Sequence, residues 1–282
     1  MNVTTIEKSA PSSSPDYMIN VTASNVIFKD MKIVQNYVST LSIETVISIN
    51  NINGIGYYFD NLEVSICEFG FGIKAAEYQI TNCNFTYAPL ASASNSNRYI
   101  LLMNSNGINI IDNNTFSTSG GNNRSSFILI TNVIVNSGFF TNKLFISNNT
   151  QDIASPNTMS TFFNMEEYAG NDFQLMFVNN TTSLEANVPI LFYNPNFNIF
   201  RYIMFKNNTV ANTVGKGLSA IDSSFLGSTN IYISGNTLLN PNFTPPFESA
   251  TNPETNIIGY RSSTIPVNPS LPIVDCYWLP LS

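Results

Sequence analysis

The chain has no histidine, one tryptophan and three cysteines among 282 residues, and only 10% of its residues are charged. Each shortage closes off a class of chemistry. Without imidazole, metal sites built from thiolate and imidazole are disfavoured, and the commonest general base is missing. Three cysteines, Cys67, Cys83 and Cys276, make no disulfide framework. A bridge between Cys67 and Cys83 stays open, but two buried, unbridged thiols are the preferred reading. The few charges sum to −7, with a pI near 4.5. A phosphate backbone wants a basic stripe, so no nucleic-acid partner is expected. No run approaches the roughly 18 consecutive apolar residues of a spanning helix, so no membrane span is expected. The stretch from Met1 to Tyr17 is too polar for a secretory signal. Either the chain is not secreted by that route, or this is a mature or partial chain.

What the chain has in abundance is asparagine, 43 of 282 residues. An AT-rich genome would favour Asn, Ile, Phe and Tyr and supplies part of the explanation. Position supplies the rest. A short phrase recurs about every 29 residues: two apolar columns, a polar residue, then Asn, Asp or Gly. The copies end at Asp30, Asn61, Asn82, Asn113, Asn148, Asn179, Asn207 and Gly235. Two residues before this zero position stand Phe28, Phe59, Ile80, Ile111, Ile146, Phe177, Phe205 and Ile233. Four before it stand Val26, Tyr57, Tyr78, Asn109, Leu144, Leu175, Ile203 and Ile231. A spacing of two between apolar columns predicts strands rather than helices. The intervening column is also mostly apolar, which predicts strands partly covered on their outer face. Asn, Asp and Gly are the residues that tolerate positive φ, so the chain is expected to turn a corner at position zero. Three residues later it is often apolar again, as at Ile33, Val64, Phe85 and Phe116.

A second apolar run precedes most copies, for example Val46–Ile49, Tyr99–Met103, Phe127–Ile130, Phe162–Phe163 and Ile190–Tyr193. Two short strands per repeat, joined at a corner, fit one coil of a parallel β-helix, whose apolar face only neighbouring coils can cover. Seven intervals at about 4.8 Å give a rod section roughly 34 Å long. The interval from Asn61 to Asn82 is short, 21 residues, and that coil is expected to lack a loop; the one from Asn113 to Asn148 is long, 35 residues.

With these columns in place, residues 20–240 resemble the right-handed parallel β-helices of the pectate-lyase type, where asparagines stack at one corner. Phrases such as Phe177-Val-Asn-Asn-Thr181 also resemble the Phe-x-x-Asn repeats of polymorphic surface proteins and protist surface proteins. The resemblance implies an all-β fold: a single right-handed parallel β-helix, or solenoid, of about eight coils with a Pro-rich C-terminal cap or tail. The expected organisation is an N-terminal cap or extension at 1–24, the β-helix at 25–240, and a Pro-rich cap or linker at 241–282. The structural ladder is expected at Asp30, Asn61, Asn82, Asn113, Asn148, Asn179, Asn207 and Gly235, with these side chains inward and stacked. On that reading Asn179→Leu costs roughly 1–3 kcal/mol.

Ten Asn-x-Ser/Thr sequons occur, about the number that this composition supplies by chance. The possible glycosylation sites are Asn2, Asn20, Asn84, Asn123 and Asn242, available if the protein passes through a eukaryotic secretory route. Sequons that begin on the ladder, such as those at Asn148 and Asn207, are expected to stay bare because an inward side chain is shielded.

β-Helices often act on polysaccharides. Such enzymes gather carboxylates and a cation within reach of one bond. This chain has 18 carboxylates, no Asp-Asp pair and no histidine for a polygalacturonase-like pattern. Its best local cluster is Glu166, Glu167 and Asp172, expected in an inter-strand loop, with Arg201 about one coil along; a solvated turn is the plainer reading. Asp60 and Asp112 share the column just before the ladder and read as exposed strand residues. Tyr57, Tyr58, Phe69, Phe71, Tyr168, Tyr193 and Phe197 could offer a sugar-stacking surface, although such aromatics more often pack a sheet face. No catalytic residue, metal or cofactor is expected. The preferred reading is a non-enzymatic structural or adhesive protein, extracellular or on a particle surface: part of a filament, cell-surface layer or virion surface. Its partners would be other subunits or copies of itself along the flank, and glycans are a further candidate. The alternative is a polysaccharide-active lyase or hydrolase.

Overall fold

The computed structural model describes residues 4–8, 17–36, 45–51, 53–67, 69–75, 77–87, 96–102, 107–118, 124–134, 142–153, 161–169, 173–183, 190–193, 200–210, 219–221, 230–234, 237–238, 247–249 and 257–258. Every regular element among them is a β-strand, and the strands pair in parallel within two sheets. The chain alternates between the sheets. It contributes strands on either side of each corner to the first, and the second apolar run of each repeat to the other.

The register of the first sheet follows the repeated phrase residue for residue. Phe28 pairs with Phe59, Phe59 with Ile80, Ile80 with Ile111, and Ile111 with Ile146. Ile146 then pairs with Phe177, Phe177 with Phe205, and Phe205 with Ile233. Large apolar residues two positions before each corner thus stack into one column, in which Ile80, Ile111, Ile146, Phe177 and Phe205 are fully inaccessible. Each such side chain stabilises the fold by about 1.5–3 kcal/mol. The second sheet is built from Tyr17–Val21, Thr45–Asn51, Phe69–Ala75, Ser96–Leu102, Arg124–Ile134, Thr161–Ala169, Ile190–Tyr193, Ser219–Ile221 and Phe247–Ser249, in that order. The strands Thr4–Lys8 and Tyr17–Val21 pair with Met31–Gln35 and Thr45–Ile49, so both join the stack. The short interval between Asn61 and Asn82 keeps its second-sheet strand, Phe69–Ala75; only residues 76–77 separate that strand from Tyr78–Thr81.

Between the sheets runs a chain of aromatic contacts. Phe28 stacks on Phe59 at 5.4 Å between ring centroids, and Phe59 meets Phe71 of the second sheet at 4.8 Å. Phe71 meets Phe85 edge-on at 5.1 Å, Phe85 stacks on Phe116 at 5.2 Å, and Phe116 meets Phe127 at 5.5 Å. Offset and edge-to-face pairs of this kind add about 0.5–1.5 kcal/mol beyond area burial. Between two paired strands of the second sheet a side chain does not fit: a Cβ at Gly70 would run into the carbonyl oxygen of Tyr99.

Candidate functional site

The corner is where the sequence concentrates its asparagine. Asp30, Asn61, Asn82, Asn113, Asn148, Asn179 and Asn207 all adopt φ between 52° and 56°. Gly235 lies outside the described residues. A positive φ breaks the in–out alternation of a strand, and Tyr57–Ile66 shows how. Tyr57 and Phe59 are buried, Asp60 is half-buried and Asn61 exposed; then Leu62, Val64 and Ile66 are buried again. Two consecutive residues therefore face outward at the corner, and the inward column resumes one residue after position zero.

This corrects the expectation of an inward ladder at position zero. Asp30, Asn61, Asn82, Asn113, Asn148, Asn179 and Asn207 are exposed. Their side chains form an outer, solvent-facing ladder. Asn61 Nδ2 donates to Asp30 Oδ1 at 2.6 Å, Asn113 to Asn82 Oδ1 at 2.8 Å, and Asn179 to Asn148 Oδ1 at 3.2 Å. At two steps the acceptor is the aspartate just before the corner. Asn82 Nδ2 donates to Asp60 at 2.7 Å, and Asn148 Nδ2 to Asp112 at 2.8 Å. Thr81 and Ser147 hydroxyls donate to the same two carboxylates at 3.0 and 2.6 Å. Lys29 Nζ lies 2.9 Å from the other Asp60 oxygen. The bonds from Asn82 and Lys29 hold the Asp60 carboxyl below its ordinary range.

The buried ladder is the next column: Asn114, Asn149, Asn180 and Asn208, each 0–1% exposed. Its bonds repeat from coil to coil. The backbone N–H of Asn114 donates to Asn149 Oδ1 at 2.9 Å, that of Asn149 to Asn180 Oδ1 at 3.0 Å, and that of Asn180 to Asn208 Oδ1 at 2.8 Å. Each Nδ2 donates to the carbonyl two residues before the preceding corner. The acceptors are Ile80, Ile111, Ile146 and Phe177 in turn, all at 2.9 Å. Nδ2 also donates to the Oδ1 of the next coil's asparagine, at 2.9, 3.0 and 3.2 Å along the series. Buried amides need such partners. Cys83 precedes Asn114 in this column and partly takes the same role. Its backbone N–H donates to Asn114 Oδ1 at 2.8 Å, and its thiol lies 3.1 Å from the Thr81 carbonyl oxygen and 3.7 Å from that of Phe59. Strict strand alternation alone gives this column no inward role. The apolar residues three past the corner were the available signal, since counting back two from an inward residue lands on it.

Exposure also revises the sequon expectations. Asn148 and Asn207 are not shielded; they face solvent. Asn20 and Asn84 are exposed as well, whereas Asn2, Asn123 and Asn242 lie outside the described residues. Cys67 and Cys83 are buried thiols, neither of them in a disulfide. The Cys67 thiol lies 2.9 Å from the Gln35 carbonyl oxygen. Burial pushes the Cys83 thiol up to about 12. Cys276 lies outside the described residues.

Glu166 and Glu167 were expected in a loop. They stand instead within the strand Thr161–Ala169 of the second sheet, while Arg201 is on Phe200–Lys206 of the first. Asp172 lies outside the described residues. Among the described residues no group of three or more Cys, Asp or Glu side chains could hold a metal ion. Of the aromatic set, Tyr57 and Phe71 are fully buried and Phe69 is 9% exposed, so they pack the core; Tyr58 is 41% exposed on the outer face. Tyr168 and Tyr193 lie on second-sheet strands, and Phe197 lies outside the described residues. Tyr58 borders a depression of about 230 Å³ that Gly56, Glu77, Gln79 and Ile108 also line.

No helix among the described residues is long and apolar enough to cross a membrane. No protein-family model, curated protein or solved structure matches this chain.

Proposed function

We propose that the chain winds as a single right-handed parallel β-helix of about eight coils, and that it serves as a structural or adhesive rod on the surface of a cell or particle. The observation that carries this reading is the pair of side-chain ladders, buried and exposed, that continue from coil to coil through one corner. Repetition of this kind builds length and stiffness, because each coil is held by its neighbours. A filament, a surface layer or a virion surface would use those properties, with other subunits or further copies of the chain packed along the flank. Fold alone does not name a chemistry.

Imaging the protein in its native assembly tests the proposal. Rods on an outer surface, with neighbours in contact along the flank, are expected. A rod confined to the cell interior would overturn the surface role. Cleavage of a polysaccharide by the purified chain, abolished by Glu166→Ala, would establish the enzymatic alternative instead.

A further inference from the structure

The outward column three residues before each corner is covered at one end of the stack and open at the other. Met176 and Met204 are 6% and 7% exposed, whereas Ile27 and Tyr58 are 66% and 41% exposed. At the open end lies the depression bordered by Tyr58. Three successive strands shape it. Gln79 stands opposite Tyr58 in register and pairs on its other side with Ile110, two residues past Ile108. Gly56 borders it at φ 76°, and a Cβ there would run into the Asn25 side chain, so that position admits no side chain of its own.

We infer that this depression binds one neutral pyranose ring, its apolar face against Tyr58 and its hydroxyls on Glu77 and Gln79. A volume of about 230 Å³ lies below the roughly 300–1,000 Å³ of pockets that enclose drug-sized ligands, so a single ring is the right scale. A half-exposed tyrosine offers an aromatic face beside a polar tip. The Gln79 amide donates and accepts while the Glu77 carboxylate only accepts, a pairing suited to hydroxyls, which do both. Among the described residues no cationic side chain lines the depression, and Glu77 opposes a second negative charge, which disfavours uronates and phosphosugars. Ile108, 52% exposed, supplies an apolar wall opposite the aromatic.

The inference gives the adhesive reading a ligand class and rests on it. Binding to the isolated chain is scored without any assembly, so the two fail separately. Saturation-transfer NMR on the purified protein would use the methyl glycosides of glucose, galactose and mannose, with methyl glucuronide and an alkylamine as charged probes. At least one neutral glycoside should bind saturably, with Kd on the order of 1 mM for one shallow ring contact. Tyr58→Ala should weaken it at least tenfold, Tyr58→Phe should retain it, and Glu77→Gln should relieve discrimination against the glucuronide. Tyr58 is exposed, so these variants should keep the wild-type circular dichroism. Absence of saturation by all three neutral glycosides would overturn the inference, as would equal binding by Tyr58→Ala or a preference for the glucuronide or the amine.

Discussion

Replacing Asn180 by leucine, and separately Asn179 by leucine, distinguishes the buried ladder from the exposed one. Asn180 Oδ1 accepts the backbone N–H and the Nδ2 of Asn149, both at 3.0 Å, and its Nδ2 donates to the Ile146 carbonyl at 2.9 Å. Leucine fills a similar space but can neither accept nor donate. The Asn149 N–H, inside the stack, then loses its acceptor, at about 1–3 kcal/mol, and the lost bond to Ile146 adds about 1 kcal/mol, for a total of roughly 2–4 kcal/mol. At Asn179 the side chain gives up one exposed bond of 3.2 Å, and leucine must hold φ near 55°. That conformation costs a residue with a Cβ about 1–2 kcal/mol. Denaturant unfolding followed by circular dichroism should therefore show Asn180→Leu losing about twice as much as Asn179→Leu, with unchanged m-values. Asn180→Asp sharpens the comparison. A carboxylate at this position can accept but not donate, so its folded pKa is raised. The resulting penalty is absent below the unfolded value of about 3.9, grows as pH rises, and is complete above the folded pKa. If Asn179→Leu proved the more damaging, or if Asn180→Asp were as stable as wild type at neutral pH, the inner column would not be the ladder that holds the coils.

Three further outcomes follow from the same geometry. Cys83→Asn should extend the buried ladder by one strand, replacing weak thiol contacts to the Thr81 and Phe59 carbonyls with an amide bond, and should raise stability by about 0.5–1.5 kcal/mol in the same unfolding assay; a loss would mean that the column ends at Asn114 for reasons of packing. With its thiol pushed up to about 12, Cys83 should resist iodoacetamide at pH 8 until the protein is unfolded, and peptide mapping by mass spectrometry would expose any native labelling. Asp60, held below its ordinary range by Asn82 and Lys29, contributes stability that is complete above the unfolded value of about 3.9 and is lost as pH falls through the folded one. Asp60→Asn should therefore flatten the acid side of the profile of denaturation midpoint against pH, and an unchanged slope there would contradict the role given to these bonds.

The sequence carried the repeat and its register, because apolar columns at a spacing of two can be aligned by eye, and Phe28, Phe59, Ile80 and Ile111 do pair as the phrase lines them up. It also carried the conformation of the corner, since Asn, Asp and Gly share a tolerance of positive φ. It did not reveal which of two adjacent asparagines turns inward. Strict alternation assigns that place to Asn148, and the positive φ there hands it to Asn149. The flank was less legible still. Tyr57 and Tyr58 are the same residue type one position apart, yet one is fully buried and the other is 41% exposed on the outer face. Glu166 and Glu167 sit in a strand whose polar residues had suggested a loop.

Stacking also accounts for the scarcity of charge that makes this composition unusual. In a parallel stack every column brings the same position of successive coils to within about 4.8 Å. Like charges placed so close repel by about 1 kcal/mol per pair even in water, and by more where solvent is partly excluded. A carboxylate only accepts and an ammonium only donates, so neither can follow itself along a ladder. An amide both donates and accepts, and can repeat indefinitely. The column before the corner obeys this rule. It reads Lys29, Asp60, Thr81, Asp112, Ser147 in register order, so that each aspartate has a donor on the following coil and Asp60 has one on both sides. Lys32 and Glu63, paired in adjacent coils at 3.3 Å, satisfy it by alternating sign. A neutral, asparagine-rich composition therefore suits the columns of a long stack of parallel, equivalent strands. It does not by itself say where the protein resides. The features that bear on partners are the departures from the repeat, above all the depression that Gly56, Glu77 and Gln79 line beside the exposed Tyr58.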